Sequence, residues 1–322
     1  MKLSALFAIL LVTGAATVLP GVRPVAGISR DLQGVWDMST LTLLQRPPEF
    51  KDKAFFTAAE AAEYERTARE RALAQLQNPA EVKLNADLDD TWAEAGVRVQ
   101  PTRRTSLIVD PPDGRVPPLT PEGQARRRDA DEAKKAPPDG PEALPLSERC
   151  LKWGAGPPLR PGPYNNNVQI VQTAKYVVIS TEMIHEARIV PLDGRPHLAQ
   201  TLQQWTGDSR GHWERDTLVI ETTNFTPKTP FDQLMDSRHP VERTLPARSS
   251  RRVVERLTRV SATALLYQFI VDDPAVFTRP WSGELTMRRT TNRVYEYACH
   301  EGNYSMAGTL RGARASEEAK QP

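Results

Sequence analysis

The chain has 322 residues, with 42 lysines and arginines against 40 aspartates and glutamates, so its formal net charge is only +2 at pH 7. So even a balance gives no electrostatic footprint for nucleic acid, and the basic run Arg126, Arg127, Arg128 is answered at once by Asp129, Asp131 and Glu132, as on a solvated helix face. The length suits one large domain or two small ones, and 28 prolines, well above the usual share of ~5%, predict long irregular connections.

In chain order, Lys2 precedes an apolar run over 3–12 and then the small residues Gly14, Ala15 and Ala16. A short positive start, a brief apolar core and a small-residue zone have the pattern of a secretory signal peptide spanning about residues 1–26. Ala16 and Ala26 are both possible cleavage points. The apolar run is shorter than the ~20 residues a membrane-spanning helix needs, and no later segment reaches that length. The mature protein is therefore expected to be exported (periplasmic or secreted) and to carry no integral membrane span.

The stretch 27–150 reads as a helical and irregular part with strands near 35 and 105. Gly34 before Trp36 matches the opening of lipocalin-like barrels, where such a tryptophan plugs the floor. Thr57 and Glu60 form a capping box, the hydroxyl accepting from the Glu60 amide while the carboxylate reaches back, and strong helix formers continue to Leu76. Residues 104–109 predict a strand, stopped by the turn residues of PPDG at 111–114. Thr120 and Pro121 supply an N-cap and first-turn proline for a short polar helix, and the proline-rich stretch 136–145 predicts a loop.

From Val168 onward, short alternating segments separated by tight turns predict an antiparallel domain over 151–311. Strands are expected at 168–173, 176–182, 186–192, 212–213, 217–224, 252–260, 265–272, 281–288 and 294–298, with a disordered tail at 312–322. A meander this long removes its edges by closing on itself. The expected fold is therefore mainly β, a meander closing into a lipocalin-like barrel or curved sheet, with the N-terminal part packed outside.

Chemical motifs are scarce. The nucleophile elbow, the His-Glu-x-x-His zinc motif, the Walker loop and the dinucleotide fingerprint are all missing. Polar residues gather in three places instead. Strand alternation sets His185 on one face with Val177, Ile179, Met183 and Ile189, and Glu182, Glu186 and Arg188 on the other. His185 on an apolar wall is either a hydrogen-bonded core histidine or a general acid/base. Around β-rich loops, Asp208 and Arg210 pair acid with base, flanked by Trp205 and Trp213, which suits binding of a substrate's polar groups as well as it suits a structural turn.

The third place is YEYACHEGNY at 295–304, which joins a strand end to His300, Glu301 and Asn303. The expected catalytic set is His185, His300 and Glu301, with Asp208, Arg210, Trp205, Trp213 and Asn303 binding a small-molecule substrate. His185, His197, His212 and His300 lack the i,i+2 or i,i+4 spacing that sets two metal ligands on one face, so no metal or cofactor is expected. Cys150 and Cys299 are the only cysteines; in an exported chain they form one disulfide or remain as two buried thiols.

The segments RTSLIVDPPDGR (104–115), YNNN (164–167) with QIVQ (169–172), DGRPH (193–197), GDSRGHWE (207–214), DTLV (216–219), TNF (223–225) and YEYACHEGNY occur in one order along the chain. Together they resemble a family of exported bacterial proteins without an assigned function. The resemblance implies a secreted, β-rich protein and carries no catalytic set with it. Two positions depart from the pattern: Arg215 and Ser305 stand where that family usually has glycine. The expected function is acid–base chemistry in a barrel pocket, by a lyase, isomerase or hydrolase acting on a small glycoside, phenolic or terpenoid-like molecule. The alternatives are a non-catalytic carrier of an apolar or carbohydrate ligand and a structural envelope module.

Overall fold

The computed structural model describes residues 30–77, 96, 98–133, 135–152, 156–162, 164–228, 230–231, 245–246 and 250–319. The expected signal peptide lies outside the described residues. Among the described residues, twelve strands and three α-helices follow one another as β1 (Gly34–Asp37), α1 (Ala58–Gln77), β2 (Ile108–Asp110), α2 (Pro121–Ala133), β3 (Asn167–Gln172), β4 (Tyr176–Thr181), β5 (Ala187–Pro191), β6 (Asp208–Glu214), β7 (Thr217–Thr223), β8 (Pro230–Phe231), β9 (Leu245–Pro246), β10 (Arg252–Arg259), β11 (Ala264–Asp272), β12 (Trp281–Thr290) and α3 (Tyr304–Glu318). Among the described residues, no helix is long and apolar enough to cross a membrane.

Ten strands make one antiparallel sheet in the order β5-β4-β3-β1-β12-β11-β10-β7-β6, with β2 added beside β12, while β8 and β9 pair separately. The hairpins follow the sequence signals: β3 and β4 pair through Gln172↔Val177, and β10 and β11 through Arg259↔Leu265. The expected barrel closure is not found, because no hydrogen-bonded ladder joins the edge strands β5 and β6. The sheet instead curls until those edges touch through side chains. A Cβ added to Gly211 of β6 would stand 2.8 Å from Val190 and 2.7 Å from Leu192, so any larger residue there must displace those side chains.

Alternation fills the concave side. Trp36, Val168, Ile170, Val177, Ile179, Val190, Leu218, Ile220, Val253, Leu257, Tyr267, Phe269, Trp281 and Leu285 are all buried in one core, as period-2 strands with one inward face require. The Trp36 indole donates to the Leu32 carbonyl at 2.9 Å, which satisfies its polar end. Leu41, Phe56, Ala61 and Val99 form a separate small core in which α1 packs. Its capping box is present, with the Glu60 carboxylate accepting from Thr57 N at 2.9 Å and Thr57 Oγ1 from Glu60 N at 3.2 Å.

Four expectations are corrected. The strand expected over 104–109 is a strand only at Ile108–Asp110, with Arg104 held in an isolated bridge to Phe55. Residues 294–298 form no strand; the Tyr295 amide donates instead to the Glu182 carboxylate, and the Tyr297 carbonyl lies beside His185 Nδ1. The C-terminus is helical to Glu318 where a tail was expected from 312, capped at Asn303, whose side chain accepts from Met306 N. Finally, the inward face of β5 is the opposite of the expected one. A tight turn at Met183–His185, with Ile184 at φ 56° and His185 at φ 42°, uncouples β5 from the alternation of β4. Arg188 and Val190 therefore point inward, Ile189 is 64% exposed and His185 is exposed.

Candidate functional site

The turn that reverses β5 helps to assemble a buried polar cluster in the curled sheet. Arg188 enters it from β5 and grips Glu255 of β10 with two hydrogen bonds of 2.7 and 2.8 Å. The Tyr267 hydroxyl on β11 donates to Glu255 Oε1 at 2.7 Å and accepts from Leu159 N at 2.7 Å. All three side chains are buried. Just outside the strand ends, Arg251 Nε donates to Asp273 Oδ2 at 3.2 Å, and both are buried. The Arg251 guanidinium also lies 5.4 Å from the centre of the Phe225 ring.

Lys152 joins this cluster from the segment that follows Cys150. Its ammonium donates to the carbonyls of Gly156 and Trp205 and stands 3.8 Å from Glu186 Oε1. The side chains of Lys152 and Glu186 are only 11% and 13% exposed. Burial lowers Lys152 to about 8; Glu186 opposes this, and the nearby charges of Arg188, Arg251 and Arg160 add to it. Burial likewise raises the Glu186 carboxyl against the pull of Lys152 and Arg188. An acid and a base of opposite sign are thus both drawn towards neutrality in one desolvated place, the condition under which a side chain exchanges protons near pH 7.

That segment is fastened by the Cys150–Cys299 disulfide, whose Cα atoms are 5.7 Å apart across a sequence separation of 149. This settles the two-cysteine alternative in favour of the bond. Around it, the Asn303 side chain donates to the Glu148 carbonyl at 2.6 Å and lies 3.4 Å from Cys150 Sγ. Buried Glu182 takes the Tyr295 amide at 3.1 Å on one oxygen and the Asn167 side chain at 2.8 Å on the other. His185 Nδ1 lies 3.0 Å from the Tyr297 carbonyl. These contacts bind the β4–β5 turn, the segment around Cys150 and the C-terminal stretch into one covering layer.

The residues expected from sequence are distributed differently. His185, His300 and Glu301 are exposed on that layer, His185 among them because of the turn just described. Asn303 is the cap of α3 and a brace for the disulfide. Trp205 contributes its carbonyl to Lys152, and Trp213 packs against the core with Arg30 over its ring at 5.7 Å. The Asp208–Arg210 pair is present at 2.6 Å, but buried Asp208 also accepts from His197 Nδ1 at 2.8 Å and from Leu198 N at 3.0 Å. Its oxygens are therefore engaged in pinning the loop before β6. His197 was considered in sequence only as a metal ligand, and its other nitrogen is 3.6 Å from Glu221. No group of three or more histidines, cysteines or carboxylates suited to a metal occurs among the described residues.

Lys152, Glu186, Arg188, Arg251, Glu255 and Asp273 were missed as a set because they are scattered from 152 to 273 without a motif. The available signal was the pair of charged residues bounding apolar strands, Arg251 before β10 and Asp272-Asp273 after β11. Comparison with known proteins finds no matching family model, no matching curated protein and no matching solved structure.

Proposed function

We propose that this is an exported enzyme that performs acid–base chemistry on a small molecule at the Lys152–Glu186 pair, at the polar end of a lipocalin-like curled sheet. The observation that carries the reading is the burial of these two groups 3.8 Å apart, with Lys152 lowered to about 8 and Glu186 raised. A lysine near neutrality takes up and releases a proton at working pH, and a carboxyl drawn upwards does the reverse. The exposed His185 and His300, with Glu301, have no buried partner set of this kind and are given no proton-transfer role. The disulfide and the signal-like N-terminus support export.

A mixture of small metabolites incubated with the protein and followed by mass spectrometry tests this reading. One or more compounds should be consumed by the wild type, consumption should fall at least ~100-fold in Glu186→Gln and Lys152→Met, and His185→Ala and His300→Ala should retain it. If no compound distinguishes the wild type from Glu186→Gln, the catalytic reading fails. The second reading, a non-catalytic carrier, has to place its ligand outside the interior, which Trp36, Trp281, Tyr267 and Phe269 fill. It leaves the same polar end as the place of binding.

A further inference from the structure

The two sulfurs of the Cys150–Cys299 bond stand in unlike surroundings. The Asn303 side-chain nitrogen, which donates to the Glu148 carbonyl, also lies 3.4 Å from Cys150 Sγ. Cys299 Sγ instead faces the carbonyl oxygen of Ser147 at 4.0 Å. A thiolate formed at 150 therefore meets an N–H donor, which favours the charged form. One formed at 299 meets the negative end of a carbonyl dipole. If the bond opens, Cys150 is the better leaving group.

Access runs the other way. Cys150 is buried, only 5% exposed. Cys299 is partly exposed between the exposed Ala298 and His300, in the irregular stretch 291–303 that leads from β12 to α3. Cys150 also sits at φ 54°, a left-handed conformation unfavourable to a residue with a Cβ and kept only where the surroundings impose it. Opening the bond removes one of those impositions. Thiol–disulfide exchange is governed by which sulfur can be reached and which thiol leaves more readily as its anion. Both criteria give the same direction here.

We infer that the Cys150–Cys299 bond is a directional exchange site for small thiols, attacked at Cys299 and released at Cys150. A thiolate bonds to Cys299 Sγ, the S–S bond breaks, and its electron pair leaves on Cys150, where the Asn303 amide holds the new thiolate. A second thiolate attacks the sulfur of the first and frees Cys299. Two reagent thiols are thereby oxidised to one disulfide, the protein bond gains two electrons, and the protons of the reagent thiols end on the cysteines. The opening unties the segment that carries Lys152 from the stretch before α3, whatever reaction that lysine serves.

The test uses the folded, disulfide-bonded full chain with reduced glutathione and no denaturant. Samples are quenched with excess N-ethylmaleimide in acidic denaturant and mapped by mass spectrometry. Glutathione should sit on Cys299 and the maleimide on Cys150, in at least ~10-fold excess over the reverse arrangement, the worth of one hydrogen bond to a charged group. Asn303→Asp keeps an acceptor for the cap of α3 but puts an anion where the donor was. With circular dichroism showing the fold intact, it should open at least ~10-fold more slowly. Were Asn303 only a brace, loss of its bond to Glu148 would speed the opening instead. Equal amounts of the two arrangements, or an excess of the reverse, overturn the direction and the inference with it. A bond that opens only after urea has unfolded the chain overturns the site, and an unchanged or faster rate in Asn303→Asp overturns the role of the amide.

Discussion

Arg188 and Glu255 join side chain to side chain in the interior, although their strands β5 and β10 are separated in the sheet by β4, β3, β1, β12 and β11. Only a sheet curled on itself brings them together, so this pair records the curvature in chemical form. It also sets a stability test. Glu255→Leu leaves Arg188 buried and uncompensated and is expected to lower stability by about 3–5 kcal/mol. The double variant Arg188→Met, Glu255→Leu should lose less than half of that, since it removes both charges. Urea unfolding of the singles and the double measures the difference.

Lys152 makes stability depend on pH in a calculable direction. Its folded value of about 8 lies below the ordinary 10.5, so between these values the unfolded chain binds more protons than the folded one. Stability attributable to this group rises with pH through that window. Below it the charged lysine carries its full penalty, up to about 3 kcal/mol. Glu186, raised above its ordinary 4.5, acts oppositely and lowers stability as pH climbs above that value. Lys152→Met should therefore raise the urea midpoint at pH 7 and flatten the wild type's rise between pH 8 and 10.

The Cys150–Cys299 bond closes a loop with a sequence separation of 149. By chain entropy a closure of this length contributes about 5 kcal/mol. Replacing both cysteines by alanine should lower stability by about 4–5 kcal/mol, read as a fall in the urea midpoint. Because Lys152 is two residues from Cys150, the variant should also show faster amide exchange over residues 146–152 than over β10 and β11.

Arg215 occupies the β6–β7 turn at φ 54°, where a side chain is strained and glycine is not. Arg215→Gly should stabilise the protein by about 1 kcal/mol, visible as a higher Tm. The Arg30 guanidinium donates to the carbonyl of residue 215, a backbone contact that the substitution keeps.

Asp208 receives three donors in a buried place, from His197, Leu198 and Arg210. Asp208→Ala removes the acceptor of all three, although Arg210 keeps the carbonyls of Pro196 and Ser209, and is expected to cost about 2–3 kcal/mol. His197→Ala should cost less than half as much, because its ring is a quarter exposed and the amide of Leu198 keeps its acceptor. Thermal unfolding of the two variants gives the order.

Most of the sheet was legible because its hairpins announce themselves. Asp193-Gly194 and Glu214 to Asp216 punctuate runs whose alternation sets an inward face, and Thr57 with Glu60 marks α1 to the residue. What alternation does not carry is a reversal made by residues that give no turn signal. Ile184 and His185 adopt positive φ without being glycine or asparagine, so the inward face of β5 was misread and Arg188 was set outside. The sequence 294–298 has the aromatic alternation of a strand, yet its backbone groups meet the side chains of Glu182 and His185 instead of a ladder. The polar cluster was illegible because its members come from four separate stretches of the chain and share only a destination.

Gly211 has a consequence for the protein among its own copies. A sheet with two open edges offers backbone donors and acceptors to any neighbouring chain. With no side chain at 211, β6 slides under Val190 and Leu192, and each edge of the sheet screens the other. An alanine there would have to displace the Val190 and Leu192 side chains, loosening the contact through which the two margins of the sheet meet.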